Sequence, residues 1–491
     1  MYRIDNQISI AEFNTPFGQL DPKNRWVKIT EMIPWQELEP SYAEQFCKDN
    51  GTPGLSFRMA MGTLILKQLT DNSDDEVLQN IIENPYHQFL IGLHEYTNTA
   101  PFTQRQITNF RKRMPQSLID EINEILFKPK SCNKTDPPDE EPPTDEDLDD
   151  ETPEDLPLNE GKMLFDATCA PANIKYPTDV NLLNEGREIS EEIIDALHRY
   201  TKARRKPRTY RKEARKRYLS FIKNRKPRKE AIRKAINQQL RYVKRNLGHI
   251  EKQLREVPIE ALSTRQKARL ETIRILYTQQ ETKRLTKAKS ISDRIVSLHQ
   301  PWVRPIVRGK AKSNVEFGAK VSIQMINGYG FVDKTDWDSY AEEALLIPAL
   351  KDYRRKYGFY PKAAIADRHY RNRKNLAFCK KWGIRLSGPR LGRPPKVTDL
   401  TLKQLERQDA SERNAVEGKF GEGKIKYGLD RIMTRLKETS ETTISMIFLC
   451  MNIKRRLRQL LTFLRIWMEC HRLLVDNEIL THPVVVVWVR S

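Results

Sequence analysis

The sequence lacks the features of a membrane or disulfide-stabilised protein. No apolar run in the 491 residues approaches the roughly 18–20 residues that a membrane-spanning helix needs. The amino terminus has no apolar stretch of a signal peptide. Six cysteines are scattered without a Cys-x-x-Cys pair, so neither a zinc site nor a disulfide framework is predicted. We therefore expect free thiols, a reducing compartment and a cytoplasmic protein.

Motifs for several common activities are also absent. The chain has no phosphate-binding glycine loop of the Walker type, no Gly-x-Ser-x-Gly elbow and no internal repeat. These absences exclude P-loop nucleotide hydrolysis, α/β-hydrolase chemistry and solenoid architectures as hypotheses. The length allows about two to four domains with a sizeable core.

Net charge and its distribution are the most informative features of the composition. The net charge is +21, yet residues 135–160 hold thirteen Asp or Glu and no Lys or Arg. The remainder therefore carries +34. Such an excess favours a polyanionic partner, and nucleic acid is the first candidate. A ribosome-associated or merely solubilising basic surface is the alternative.

Residues 1–128 are predicted to be helical and compact. Helical apolar spacing is found over 56–69, and further helices are expected from residue 76, over 85–93 and over 103–114. Short helices with a capped turn and one basic helix are typical of a helix-turn-helix-like DNA-binding domain. An ordinary helical bundle is the alternative. The candidate DNA contacts in this part are Arg105, Arg111 and Arg113.

Residues 129–160 form a linker in this interpretation. Their proline- and acid-rich composition cannot bury a core and favours an extended, disordered segment. The linker could serve as a spacer, or compete with DNA for the basic surface.

Residues 185–300 are predicted to be a basic helical insertion. Within 202–245 there are twenty Lys or Arg against two acidic residues, with aromatic residues interleaved. Long basic side chains on helices neutralise phosphates, so contact with the nucleic-acid backbone is expected. A solvated helical hairpin is the alternative. The candidate contacts are Arg204, Arg205, Arg215 and Arg217.

The segments around the insertion alternate between strand and helix patterns. The predicted strands cover 162–168, 172–176, 315–326, 329–332, 361–366 and 384–386, with an Asn-Gly hairpin signal at 327–328. Helices are expected over 338–357 and through most of 399–475. A basic, proline-rich loop at 389–396 contributes Arg393 as another candidate DNA contact. The tail, 476–491, contains a valine-rich window expected to be an edge strand or an irregular terminus.

Three acidic residues lie in positions that suit phosphodiester chemistry. Asp166 and Asp367 each end a short apolar run, and Glu417 lies in a helix-like stretch. Three such carboxylates can hold two Mg²⁺ ions, one activating the attacking oxygen and one stabilising the leaving oxygen. The element order predicts an α/β protein with a ribonuclease-H-like core, whose first two carboxylates lie on adjacent central strands.

The local sequence around these carboxylates resembles a known family. The segments Phe165-Asp166-Ala167-Thr168 and Ala366-Asp367-Arg368-His369-Tyr370, and the pattern Arg413-x3-Glu417-x6-Lys424, are similar to the catalytic blocks of bacterial insertion-sequence DDE transposases. The match is closest to the insertion-sequence-five-like group, in its long-insertion subgroup, which has phrases similar to those at 386–394 and 426–429. Residues 55–114 resemble the helical domain that precedes the catalytic core in that family.

The resemblance implies roles for individual residues. Asp166, Asp367 and Glu417 would be the catalytic metal ligands of a ribonuclease-H-like domain over 161–475. Arg413 and Lys424 match the signature Arg and Lys, and would hold phosphate near the metals or contact the element's end. The family often has Tyr where this chain has Ala410, so that DNA contact would be absent or supplied elsewhere.

Some positions depart from the family pattern or compete with it. Glu422 is the rival third ligand, but it would point some 140° away from Glu417 on a helix. Glycines 418, 421 and 423 weaken that helix and could kink it. His369 stands where relatives often have Gly, and a surface or DNA-facing position is expected for it.

The implied activity is Mg²⁺-dependent transposition, with Mn²⁺ as a substitute metal. Metal-activated water would free a 3′-hydroxyl at the element's terminal inverted repeat, and that hydroxyl would attack target DNA. The implied partners are element-end and target DNA and a second copy of the chain, as a homodimer or higher multimer associated with the bacterial nucleoid. A DNA-binding protein that no longer cuts, or a metal-dependent nuclease on the same fold, are the alternatives.

Overall fold

A computed structural model describes residue 2 and residues 7–47, 53–127, 157–307, 315–388 and 400–477. The fold is mixed α/β. The helices are α1 Arg25–Met32, α2 Trp35–Ala43, α3 Phe57–Thr70, α4 Asp74–Glu83, α5 Pro85–Leu90, α6 Gln104–Arg113, α7 Gln116–Phe127, α8 Asp179–His198, α9 Arg211–Ile222, α10 Lys229–Leu254, α11 Thr264–Thr286, α12 Leu346–Tyr357, α13 Arg373–Lys381, α14 Leu400–Lys426 and α15 Lys437–Asn477. The strands are β1 Lys162–Pro171, β2 Arg304–Val307, β3 Val315–Ile326, β4 Tyr329–Asp336, β5 Ala363–Ile365 and β6 Arg385–Leu386.

The strands form one six-stranded sheet with β1 at its centre. β1 pairs antiparallel with β3 along one edge and parallel with β5 along the other. β3 also pairs antiparallel with β2 and β4, while β5 pairs parallel with β6. β5 is fully buried, as expected for a short apolar strand at the middle of a sheet.

The first predicted strand is longer than its sequence pattern indicated. β1 runs from Lys162 to Pro171, so Asp166 lies inside the strand and not at its end. The long antiparallel pairing with β3 explains this extension, because it satisfies the backbone of residues 163–171. The second strand predicted at 172–176 is wrong, since only Ala172 makes a bridge there, to Ile432.

The amino-terminal helices share a hydrophobic core with the sheet. The predicted helices at 56–69, from 76, at 85–93 and at 103–114 correspond to α3, α4, α5 and α6. Ser73 caps α4 with a capping box, as the predicted turn chemistry requires. One continuous cluster of buried side chains includes Phe110 of α6, Ile122 of α7 and Phe165 of β1. Residues from both sides of the predicted 129–160 linker therefore pack together.

The helices between β1 and β2 have a core of their own. Buried residues of α8, α10 and α11 form a separate cluster, which includes Leu183, Val243 and Ile273. The helical part begins at Asp179, slightly before the predicted boundary at residue 185. In contrast, α9 buries Ala214 alone and exposes Leu219 and Ile222.

The carboxy-terminal part consists of two long helices. α14 continues as a helix through glycines 418, 421 and 423, from Leu400 to Lys426. α15 buries its apolar residues from Ile444 to Ile453 and, further on, Leu457. The valine-rich segment 484–489, loop 389–396 and most of the acidic linker lie outside the described residues. None of the described helices is both long and apolar enough to span a membrane.

Replacement of Gly318 should test the central strand pairing. A Cβ at Gly318 would lie 2.1 Å from the backbone oxygen of Ala170 on β1, so Gly318→Ala must push two strands apart. We expect Gly318→Ala to lower the free energy of unfolding by roughly 2–3 kcal/mol, measured by chemical denaturation. Gly248→Ala is the matched control, because its helix offers open space and should be stabilised. Equal effects of the two changes would contradict the close approach of β1 and β3.

Candidate active site

Asp166 occupies a half-buried position in the middle of β1. Its carboxylate accepts a hydrogen bond from the backbone N–H of Ala167 at 2.8 Å. Burial raises the pKa of Asp166 to about 6, against the lowering effect of that hydrogen bond. The charges of Glu342 and Glu417 raise this pKa further, while Arg413 lowers it. Asp166 is therefore a carboxylate that a nearby cation would stabilise.

Asp367 lies at the equivalent level of the neighbouring strand. Leu164 of β1 pairs with Ile365 of β5 in parallel register, and each aspartate follows its paired residue by two positions. Adjacent strands are about 4.8 Å apart, so the register brings the two aspartates to the same edge of the sheet. Asp367 also caps the short 3₁₀ helix Arg368–Tyr370, accepting from the Arg368 N–H at 2.6 Å.

Glu417 comes to this edge from α14, and Arg413 joins it to Asp367. Arg413 Nη1 lies 3.2 Å from Asp367 Oδ1, and Arg413 Nη2 lies 3.4 Å from Glu417 Oε1. The side chain of Glu417 is 55% exposed and that of Asp367 45% exposed, so both remain accessible to a ligand. One guanidinium thus contacts two of the three predicted carboxylates, beside the third.

Ion pairs hold the first half of α14 against the sheet. Asp409, which is buried, forms a bidentate pair with Arg385 of β6. Glu412 pairs with Lys162 of β1 at 2.7 Å. Because these pairs lie one and two turns before Glu417, they fix the part of the helix that carries it.

The rival carboxylate on α14 faces elsewhere. Glu422 pairs with Arg458 of α15 at 3.0 Å, away from the two aspartates. Lys424 is half-buried on the same helix, while Ala410 and His369 are exposed. The geometry therefore brings Glu417 and not Glu422 to the aspartates, as the helical spacing predicts.

The candidate DNA contacts of the amino-terminal helices differ in availability. Arg105 is exposed on α6. Arg111 instead forms a bidentate pair with Asp74 of α4 and is only 11% exposed. The guanidinium of Arg113 lies over the ring of Phe46, 4.4 Å from its centre. Arg111 and Arg113 therefore each have a partner within the protein, and their role as DNA contacts stays a prediction.

The insertion arginines remain at the surface. Arg204, Arg205 and Arg215 are exposed, and Arg217 is exposed but paired with Glu213 at 2.7 Å. Arg215 also lines a cleft of about 1340 Å³, and Trp302 and Arg435 are among the other residues that line it. Arg393 lies outside the described residues.

Sequence reasoning missed two features near the site. Glu342, in the 3₁₀ helix Glu342–Leu345, lies close enough to raise the pKa of Asp166 and pairs with Lys320 at 2.6 Å. Lys419, two residues after Glu417, is buried. Its position between the apolar residues Val416 and Phe420 was the available signal for burial.

The carboxylate oxygens at this edge of the sheet are suitable ligands for a hard divalent cation, although they are not close enough together to surround one. Within the residues that the structure describes, no three His, Cys, Asp or Glu side chains are grouped closely enough to hold a metal ion. Arg413 is the cation that Asp367 and Glu417 contact here. Carboxylate oxygens are the ligands that Mg²⁺ prefers, so the chemistry of the donor set fits that ion.

Fold and site together define a mixed α/β protein with an acidic site at the edge of a central sheet. Comparison with known families matches residues 364–454, which contain Asp367 and Glu417, to the family described as Transposase DDE domain. Residues 16–113 match a second family, described as Transposase domain (DUF772). Both matches are to transposase families, and together they indicate an insertion-sequence DDE transposase.

Comparison with individual proteins adds little further detail about the function. A Rhizobium meliloti protein described as "Uncharacterized protein ORF8 in nfe locus" is 26% identical over 163 residues, which cover 33% of this chain and 69% of that protein. No solved structure matches the chain. Asp166 lies outside both family matches, so its place in the site rests on the strand register.

Proposed function

We propose that this transposase, of the insertion-sequence-five-like group, binds the terminal inverted repeats of its element and catalyses DNA cleavage and strand transfer. The observation that carries this proposal is the contact of Arg413 with both Asp367 and Glu417, beside the half-buried Asp166. The strand order and pairing support a ribonuclease-H-like core, since β1 pairs antiparallel with β3 and parallel with β5.

Asp166, Asp367 and Glu417 would hold the divalent metal, Mg²⁺ or Mn²⁺. When bound, two such ions would supply an activated nucleophile and charge stabilisation for in-line displacement at phosphorus. The protein itself contributes the positions of these three carboxylates. Adjacent strands position the two aspartates, and the ion pairs of Asp409 and Glu412 hold the helix that carries Glu417.

Arg413 would change partners when metal and DNA bind. Its guanidinium contacts two carboxylates that the metal would neutralise, so it would become available for a phosphate of the DNA. Lys424 and the exposed Arg105 would add further phosphate contacts. Synapsis of two element ends would require a homodimer or higher multimer, acting at the nucleoid.

The activity can be tested with purified protein and DNA that carries the inverted repeats flanking its coding region. We expect Mg²⁺-dependent release of a 3′-hydroxyl at the element end and its joining to a target plasmid. A chelator should abolish both products. Cleavage without joining and without end preference would favour a general nuclease, and tight end binding without cleavage would favour a DNA-binding protein.

The insertion arginines should contribute strongly to DNA affinity. Arg204, Arg205 and Arg215 are exposed cations, and each phosphate contact lowers the slope of log K against log salt by about 0.9. We expect a triple substitution to glutamine to flatten that slope by about 2.7 and to weaken binding roughly 100-fold or more at 0.1 M salt, measured by fluorescence anisotropy.

A matched control separates contact from net charge. Arg274, Arg284 and Lys267 belong to the same insertion, but each has an acidic partner within 4.0 Å. Their triple substitution to glutamine removes the same charge and should leave the slope nearly unchanged. Equal losses in both triple variants would mean that the insertion acts only through overall charge.

A further inference from the structure

A buried asparagine on α15 joins four separate parts of the protein. Asn452 is 0% exposed. Its Oδ1 accepts from the Gly330 N–H and from Lys419 Nζ, both at 3.0 Å. Its Nδ2 donates to the Gly330 carbonyl at 2.7 Å and to Asn123 Oδ1 at 2.9 Å. All four hydrogen-bonding positions of the amide are therefore used.

The four residues of this network come from different elements. Asn123 lies on α7, Gly330 on β4 and Lys419 on α14, while Asn452 itself lies on α15. Asn123 closes the network by donating to the same Gly330 carbonyl at 3.1 Å. A satisfied buried network of this kind fixes one arrangement of its elements, because any shift leaves a polar group unpaired.

A lysine at position 419 costs folding free energy because its charge is buried. Its side chain is buried, so its charge has to be removed from water. Its acceptor is a neutral amide, and a methionine of similar shape would fill the same space without desolvating a charge. The presence of lysine at this position is therefore not explained by stability. It is explained by the single orientation of α14 that its hydrogen bond to Asn452 defines.

The network acts on the helix that carries Glu417. Two residues along a helix correspond to about 200°, so Lys419 and Glu417 lie on opposite sides of α14. Asp409 and Glu412 anchor the helix before Glu417, and Lys419 anchors it after. Rotation of α14 about its axis would move Glu417 relative to Asp166 and Asp367.

We propose that Lys419 and Asn452 are positioning residues, which set the orientation of Glu417 and link α7 to the active site. The proposal rests on the proposed function of Glu417. Neither side chain touches DNA or metal in this role. Loss of the network misplaces one ligand of the site while the rest of the fold is kept.

Lys419→Met provides the main test. We expect the rate of end cleavage at saturating DNA to fall by about 10-fold or more, and Mn²⁺ binding to the free protein, measured by calorimetry, to weaken by a similar factor. The DNA affinity and the denaturation midpoint should not fall. Lys419→Gln keeps a hydrogen-bond donor without charge and should recover part of both losses.

Asn246→Leu controls for the general cost of disturbing a buried amide. Asn246 is 0% exposed and donates to Ser190 Oγ at 2.9 Å, within the core of the insertion. This variant should lose stability but keep wild-type Mn²⁺ affinity. Equal loss of Mn²⁺ affinity in Asn246→Leu and Lys419→Met would overturn the positioning role.

Glu417→Gln separates the inference from the function on which it depends. If Glu417→Gln is inactive and Lys419→Met has the wild-type rate and Mn²⁺ affinity, the positioning role is wrong and the proposed function stands. If Glu417→Gln is fully active, the proposed function fails, and the positioning role fails with it.

Discussion

Asp367→Ala and Asp367→Asn should each lose at least about 100-fold of the end-cleavage rate in Mg²⁺. A metal ion in such a site contributes several kcal/mol to the transition state, and 1.4 kcal/mol corresponds to a factor of ten. DNA binding should not weaken, because the change removes a negative charge from the DNA-facing edge.

The two substitutions distinguish the effect of the charge of Asp367 from the effect of its role as a helix cap. The carboxylate also caps the 3₁₀ helix Arg368–Tyr370, and alanine removes that cap at a cost of about 1 kcal/mol. Asparagine keeps an oxygen acceptor for the Arg368 N–H but loses the charge. Similar inactivity of both variants would therefore assign the loss to the carboxylate.

The measurement is cleavage and strand transfer on end-bearing DNA, with chemical denaturation to check the fold. Asp338→Asn is a suitable control, since Asp338 is 69% exposed and lies 3.3 Å from Arg304, outside the site. We expect Asp338→Asn to have the cleavage rate and the stability of the wild type. Undiminished cleavage by Asp367→Asn would refute the assignment of Asp367 as a metal ligand.

The strands next to Asp166 and Asp367 could be predicted from the sequence because their signals are local. The apolar run at 363–366 marks β5, and the run before Asp166 marks the first half of β1. The parallel register of these strands places the residues that end the two apolar runs side by side. The extent of β1 could not be predicted, since it depends on pairing with β3, which lies about 150 residues away.

The roles of individual arginines were harder to predict. Arg111 and Arg105 both lie in a basic helix and look alike in the sequence. Only the packing of α4 against α6 brings Asp74 to Arg111 and leaves Arg105 exposed. Long-range partners of this kind leave no periodic signal, and the same holds for the amides of Asn123 and Asn452 around Lys419.

Glu417→Gln and Glu422→Gln should differ sharply, although the two residues lie five positions apart on one helix. Glu417 contacts Arg413 beside Asp367, whereas Glu422 pairs with Arg458 on the opposite side. We expect Glu417→Gln to lose at least about 100-fold in cleavage rate, for the same reason as Asp367. Glu422→Gln should lose only a surface ion pair, worth about 0–1 kcal/mol of stability.

This pair of variants tests Glu417 against a control with the same chemistry, helix and charge change. The rate of end cleavage should be measured together with Mn²⁺ binding to the free protein. Weaker Mn²⁺ binding in Glu417→Gln alone would place Glu417 at the metal. The reverse pattern would require α14 to be rotated by about 140°, which would break the pairs of Asp409 with Arg385 and Glu412 with Lys162. Because those pairs and the Lys419 contact lie on both sides of Glu417, the structure predicts that Glu417 is the third carboxylate.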